Sequence, residues 1–447
     1  MAFRRLENRL RMQLRGRINS APPRRDESPS EKTDDKIPLM ARHRRTLKNM
    51  AELPLEGIRV LDISSVIAAP VATTFLADFG AEVVKVEEPT AGDFLRGNSG
   101  TPGNRSLQWA QEGRNKKSVT LDLRQARGQQ ILRELIPQFD VVVSNHRLPT
   151  LEKWGLSPES MQALNPHGVF VFVTGYGLTG PYRDRGAFDR IASAFSGLTY
   201  VSGEPDRPPV RTGFAMIDYM AAYLTAFATV TALYHRDANG GRGQIIDSSL
   251  YEAGFRASED ALLSYSSNGM IRERSGNRNP ALVPASDFDT ADGRRIAVHA
   301  GTDPLFRRLA QVLGRPDLAD DPRFATRAAR AENPEYLYKI IGEWAAEKNA
   351  DEATEILSAV GIPASLLMNV ADIASNPHYR ERGTIVDVED PDFGEISMVA
   401  PLPHFSETPG RIETLGCALG AHTDEIYRTL LGFDDEDLAE LRSAKVI

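Results

Sequence analysis

An open α/β sheet of parallel strands is the fold the sequence predicts, and three observations carry that reading. From Gly57 onward short β-branched runs alternate with helical patterns in βαβ order. Those runs are apolar nearly throughout, as in VFVFVTG at 169–175, which suits strands covered by helices on both faces. Past residue 270 the texture shifts to Gly, Pro and charge, and a smaller α+β pattern follows. Together these imply a Rossmann-like large domain with a parallel sheet, plus a smaller α+β domain.

In chain order, IRVLDIS (58–64) reads as the first strand, PVATTFLADFG (70–80) as a helix and AEVVKVEE (81–88) as the second strand. SVTLDL (118–123) continues as strand, RQARGQQILRELIPQF (124–139) as helix, DVVVSN (140–145) and VFVFVTGYG (169–177) as strands. The apolar run Tyr219–Tyr234 is about 16 residues, short of the roughly 20 a membrane span needs, and reads as a buried core helix. HRDANGGRGQIIDSSL (235–250) is a Gly-rich turn feeding a strand, and a long helix is expected from Leu250 to about Asn268. RERSGNRNPALVP (272–284) reads as a linker or active-site loop. Beyond it, SDFDTADGRRIAVHA (286–300) is a strand pair turning at ADG, with helices expected at Pro304–Leu313 and Pro334–Lys348. The strand-like EISMVAP (395–401) is expected to return to the large domain. The division is thus 1–50 as a basic extension, 51–270 with 367–447 as the large domain, and 280–366 as the small one.

Charge and cysteine content exclude several classes. The formal net charge is −8, but residues 1–50 hold 14 Lys/Arg against 6 Asp/Glu, and the rest 39 against 55. An acidic body lacks the broad basic face that nucleic-acid binding requires. Cys417 is the only cysteine, which rules out an intrachain disulfide and a multi-cysteine zinc site and fits a reducing compartment. The eight histidines form no metal-ligand spacing. Residues 1–50 contain no cluster able to form a core and read as disordered; their Arg-rich start is also that of a transit peptide. The expected location is cytoplasmic, with the mitochondrial matrix as the alternative.

The stock motifs G-x-x-x-x-G-K-[ST], H-E-x-x-H and G-x-S-x-G are absent. GYGLTG (175–180) has dinucleotide-site spacing, but Pro181 follows where a helix should open, so it reads as a loop. Two aspartates stand out. Asp189 precedes an Ala/Ser-rich helix and reads as its N-cap, with a catalytic role as the alternative. Asp218 is the one acidic residue in GFAMIDYMAAYLTAFATVTALY, where a carboxylate must find donors; a helix start can supply N–H groups and a favourable dipole. A buried cap and a reactive carboxylate both fit.

Many ordered blocks then add up: LPLEGIRVLDISSVIAAPVATTFLADFGAEVVKVEEP, NKKSVTLDL, DVVVSNHRLPTLEKWGL, TGYGLTGP with AFDRIASAFSGL, VRTGFAMIDYMAAYLTA, GRGQIIDSSL and GIPASLLMNVADIASNPH. Over residues 53–447 the chain resembles the class III CoA-transferases, the group of formyl-CoA, carnitine and succinate-glutarate enzymes. The resemblance implies that coenzyme A moves from an acyl-CoA thioester to a free carboxylic acid through an aspartyl intermediate. Acyl-CoA is then a substrate, and neither a tightly bound cofactor nor a metal is implied. It also implies an interlocked homodimer, with no nucleic-acid or membrane partner. The family's catalytic aspartate falls on Asp218. Its CoA contacts carry over to Ile67 and Ala68; Leu121, Asp122, Leu123 and Arg124; Asn145, His146 and Arg147; Lys153; and Gly186, Ala187, Phe188 and Asp189.

The chain also departs from its relatives. NHRLP stands where many have N-F-R-P-G, Ile67 where formyl-CoA transferase has Gln, and SGNRNP where that enzyme has polyglycine; these argue against formyl-CoA and oxalate as the natural pair. PVRTGFAMID is nearer the succinate-glutarate type and suggests a dicarboxylate, held by Arg211 or by the loop around Asn277. An α-methylacyl-CoA racemase shares the fold, but it carries G-H-D where this chain has Ala187, Phe188 and Asp189, and SPESMQALNP offers no partner histidine. A non-catalytic acyl-CoA-binding protein is the third reading, and the presence of Asp218 speaks against it.

Overall fold

The computed structural model describes residues 53–97 and 106–447. The expectation for residues 1–50 therefore lies outside the described residues. The described residues form one compact unit.

Six parallel strands make the main sheet: β1 Arg59–Asp62, β2 Glu82–Glu87, β3 Lys116–Thr120, β4 Val141–Ser144, β5 Val169–Thr174 and β6 Ile245–Ser249. Their spatial order is β3-β2-β1-β4-β5-β6, with Val60 level with both Val83 and Val141. The period-2 geometry of a strand sends successive side chains to opposite faces. Both faces are apolar here, because Val60, Val141, Val143, Val169, Val171 and Val173 pack on one side and Leu61, Val142, Phe170 and Phe172 on the other. Over the first face lie the helices Ala68–Asp78 and Met216–Ala238, through residues such as Leu76, Ile217 and Ala221. Over the second lie Ala126–Leu135 and the two last helices, Thr423–Leu431 and Asp435–Ser443, through Ile131, Leu132, Ile426 and Leu441. Tyr427 is fully buried there, and its hydroxyl donates to Thr120 O at 2.8 Å.

A second core gathers residues 283–366 around an antiparallel sheet of β7 Ala285–Asp289, β8 Arg295–His299 and β9 Ala364–Leu366. Its centre is the wholly buried Arg330, which donates to the carbonyls of Val283, Phe324 and Gly301 and to Asp303. Four of the five guanidinium N–H donors are met in this way, and a buried guanidinium needs such partners.

Three sequence expectations change. Helix 250–268 is broken into Leu250–Arg256 and Ala261–Asn268 by Glu259 at φ 52°, where Glu259 and Asp260 both reach out to Arg272. The EISMVAP segment forms β11 Gly394–Val399, which pairs with β10 Ile385–Asp390 in a two-stranded hairpin of its own. The 216–238 helix is long and apolar enough by composition to cross a membrane, but it is not a fully buried core helix. One face packs on the sheet, while Tyr223, Phe227, Val230 and Tyr234 stay exposed. Finally, the side chain of Asp189 does not cap its own helix, Asp189–Phe195; what it caps instead belongs to the site.

Candidate active site

In a sheet of this order the chain leaves β1 and β4 toward opposite sides, opening a crevice at their carboxyl ends where ligands of open α/β sheets bind. The two loops there are stitched together. Asn145, just past β4, accepts from Ser65 N at 3.0 Å and donates to Ser65 O at 2.6 Å. Beside it Val66 holds φ 72°, a left-handed conformation that a β-branched residue adopts only under constraint, at a cost of about 1–3 kcal/mol. Strain of this kind concentrates at ligand sites.

A cavity of about 460 Å³ lies at this point. It brings together nine of the residues inferred from the sequence: Ile67, Ala68, Asn145, His146, Arg147, Gly186, Ala187, Phe188 and Asp218. Ser65, Val66, Thr150, Thr174, Gly175 and Arg185 complete much of the wall and were not foreseen. The 175–187 loop comes back on itself, since a Cβ on Gly175 would sit 2.5 Å from Ala187 Cβ. Only glycine allows that close return.

The remaining inferred contacts are not part of this wall. Leu121 and Leu123 are buried core residues just past β3, two strands from the cavity on the same sheet edge. Arg124 is exposed and tied to Asp122 and Glu88 at 2.7 and 2.8 Å. Lys153 is exposed at the end of the helix Leu148–Lys153. Neither Arg211, which is exposed, nor Asn277, which lines a different cavity against β7 and β8, borders the Asp218 cavity.

Asp218 occupies the first turn of the 216–238 helix and is only 6% exposed. The sequence implied that the helix start would supply its donors. It does not: Asp189 Oδ2 accepts from Ile217 N at 2.8 Å and lies 3.4 Å from Asp218 N. Among the described residues no donor reaches the Asp218 carboxylate. Burial, reinforced by the negative charge of Asp189, pushes its pKa up to about 7. A carboxyl group raised this far holds its proton to higher pH than an ordinary aspartate, and no protein donor ties up its oxygens.

The cations of the wall are unmatched by acids. Arg147 and Arg185 have no ion-pair partner among the described residues; the Arg185 guanidinium lies 3.7 Å from the Tyr182 ring centre. His146 packs edge-on against Trp154, and burial pushes its pKa down to about 4, so it is neutral.

Beneath the β1 loop lies a charge cluster that the sequence reading passed over. Asp62, Lys85 and Lys116, the last residue of β1 and members of β2 and β3, are all almost inaccessible. Lys116 Nζ is 3.3 Å from Asp62 Oδ2 and donates to Pro70 O at 2.6 Å; Lys85 Nζ donates to Ser64 O at 2.8 Å and pairs with Asp93 at 3.0 Å. The cluster therefore pins both ends of SSVIAAP, the segment that shapes the cavity. Part of its signal was present: Asp62 and Lys85 interrupt the apolar runs VLDI and VVKV, where only paired groups survive, whereas Lys116 opens the polar strand KKSVT and gave none.

Residues 55–423 match CoA-transferase family III. The chain belongs to that family. It is 42% identical over 396 residues to succinyl-CoA–D-citramalate CoA-transferase of Chloroflexus aurantiacus, covering 88% of this chain and 98% of that protein. Human succinyl-CoA:glutarate CoA-transferase is 33% identical over 396 residues, covering 88% and 90%. Among solved structures, a CaiB/BaiF family protein from Brucella suis matches with a TM-score of 0.75 at 31% identity, covering 85% of this chain and all of the other. The fold is thus shared along 85% of this chain. The chain is a CoA-transferase with acyl-CoA thioesters as substrates.

Proposed function

We propose that this transferase moves coenzyme A between two dicarboxylic acids, with succinyl-CoA as donor and Asp218 as the group that carries the acyl unit. The observation that supports this most is the buried Asp218 carboxylate, free of donors, in the wall of a cavity at the sheet's switch point. An Asp218 oxygen attacks the thioester carbonyl, the C–S bond breaks, and CoA leaves as thiolate, giving a mixed anhydride. The thiolate then attacks the aspartyl carbonyl, releasing the donor acid and leaving an aspartyl-CoA thioester. The acceptor carboxylate attacks in turn, expelling thiolate and forming a second anhydride. Thiolate attack on the acceptor's acyl carbon yields the new acyl-CoA and restores Asp218. One activated acyl bond is kept throughout, so the anhydrides must be shielded from water, a task suited to the 175–187 loop.

Relatives of this chain are named for succinyl-CoA with citramalate, malate or glutarate. Each of these acids keeps a second carboxylate away from the reacting one. Arg185, an unpaired guanidinium in the same wall as Asp218, is the group we assign to that second carboxylate, while Arg147 faces the anionic coenzyme. The test is a panel of acyl-CoAs and free acids followed by mass spectrometry of new thioesters. Succinyl-CoA with C4–C5 dicarboxylates should react best, and a preference for monocarboxylates would sink the proposal. Arg185→Ala is expected to raise the dicarboxylate KM about 10- to 100-fold, the loss of one charge-assisted pair of roughly 1.5–3 kcal/mol, and to leave the KM for acetate-type acids unchanged.

The same reading includes an interlocked homodimer. Exposed Tyr223, Phe227, Val230 and Tyr234 recur at i, i+4, i+7 and i+11 along one face of the 216–238 helix, the kind of apolar stripe that a monomer rarely leaves open. Light scattering should return twice 49.2 kDa, and tagged and untagged subunits should not exchange without unfolding; a monomer or rapid exchange counts against it.

A further inference from the structure

Asp189 has no place in the chemistry above, yet its carboxylate faces the first turn of the helix that carries Asp218. Two acids compete there for one set of donors. The first backbone N–H groups of a helix lack intrahelical partners, and an acid in the first turn would ordinarily take them. Here Asp189, from the preceding helix in sequence, accepts from Ile217 N at 2.8 Å and approaches Asp218 N at 3.4 Å. Asp218, carried on that same turn, is left buried with none.

We propose that Asp189 is a positioning residue for the transfer reaction: by occupying the helix N–H groups as a fixed anion it withholds them from Asp218 and keeps that carboxylate free of protein donors and reactive. This rests on the assignment of Asp218 as acyl carrier. A carboxylate holding two backbone hydrogen bonds is stabilised as the anion and is the weaker nucleophile; one held without such donors beside another anion is the stronger. The other ionisable groups around Asp218 leave Asp189 as the charge acting on it. His146, Arg147 and Arg185 share its cavity. Tyr219, next on the helix, is bonded to Glu112 at 2.8 Å. Asp78, the only ionisable residue of the 68–78 helix, is paired with Arg114. On the 250–256 helix Glu252 accepts from Ser249 at 2.7 Å, and Arg256 closes that helix's last turn. Asp247 on β6 accepts from Leu178 N. β5 carries no ionisable group, and Arg190, beside Asp189, is exposed.

The experiment measures melting temperature against pH, without substrate, for wild type, Asp218→Asn, Asp189→Asn and the double variant, and then kcat/KM against pH. A raised carboxyl pKa means that the native state holds a proton the unfolded state has released, so stability falls as pH rises between about 4 and 7. Wild type should show that fall relative to Asp218→Asn. Asp189→Asn keeps an oxygen for the N–H groups but removes the charge, so the fall and the acid limb of kcat/KM should both move down by at least about half a pH unit, with kcat reduced about 10-fold and KM for acyl-CoA little changed. Asp189→Glu should restore the wild-type limb. If Asp189→Asn melts lower but leaves the pH dependence in place, Asp189 is merely structural and the proposal fails. If the pH coupling is found but Asp218→Asn still transfers CoA, the positioning geometry stands and the carrier assignment fails.

Discussion

Asp218→Ala and Asp218→Asn are expected to fold and to bind CoA as wild type does, and to lose turnover by at least about a thousandfold, the scale for removing a covalent nucleophile. The loss should fall on kcat, because a carrier acts only once the acyl group is bound. Hydroxylamine or borohydride added with acyl-CoA should modify Asp218 in the wild type and nothing in the variants. The wild-type profile of kcat/KM should have an acid limb near pH 7, since the attacking form is the anion and its pKa is pushed up to about 7. Activity therefore rises with pH through that value, opposite to what an acid catalyst would show. An active Asp218→Ala, or trapping on Asp189, would overturn the assignment and favour a racemase-like use of Asp189.

How far the sequence revealed this site depends on what each residue does. β4 and β5 were legible because VVVS and VFVFVT are apolar on both faces, which only a covered parallel strand allows. The carboxyl-edge residues Ile67, Asn145 and Arg147 were legible through family blocks, and the sheet order explains why segments nearly 80 residues apart meet. Arg185 was missed because a loop arginine carries no periodicity; its identity as wall follows only from the close return of the loop at Gly175. The Asp189–Asp218 relation was misread for a related reason. Local pattern places Asp189 at the start of its own helix, but tertiary packing hands its carboxylate to the next helix, and no spacing rule encodes that choice. The 250–268 break was hidden likewise, since ASED carries no glycine or proline to announce it.

The largest stability effect is expected at Asp62. Its carboxylate takes hydrogen bonds from Ser64, Thr73 and Lys116 and faces Lys85 at 3.8 Å, all in a region closed to water. Burial alone would raise its pKa, but Lys85, Lys116 and the two hydroxyls outweigh it and hold the group down to about 2. Its contribution to stability is thus present above the ordinary carboxyl range and is lost as pH falls from about 4 to 2. Asp62→Ala leaves two buried ammonium groups behind. Lys85 keeps Asp93, but Lys116, which burial already pushes below its ordinary pKa, keeps only Thr73 and the Pro70 carbonyl. Breaking a buried pair in this way costs about 3–5 kcal/mol, or roughly four to six degrees in melting temperature for a chain of this size. The deficit should shrink at high pH, where the stranded Lys116 sheds its proton, and Lys116→Met added to Asp62→Ala should recover much of it. Because the cluster also anchors Ser64 and Pro70, the folded fraction of Asp62→Ala should bind acyl-CoA more weakly, with KM raised more than kcat is lowered. A melting curve within about two degrees of wild type, or a deficit that does not change with pH, would show that the cluster does not hold the cavity's main loop in place.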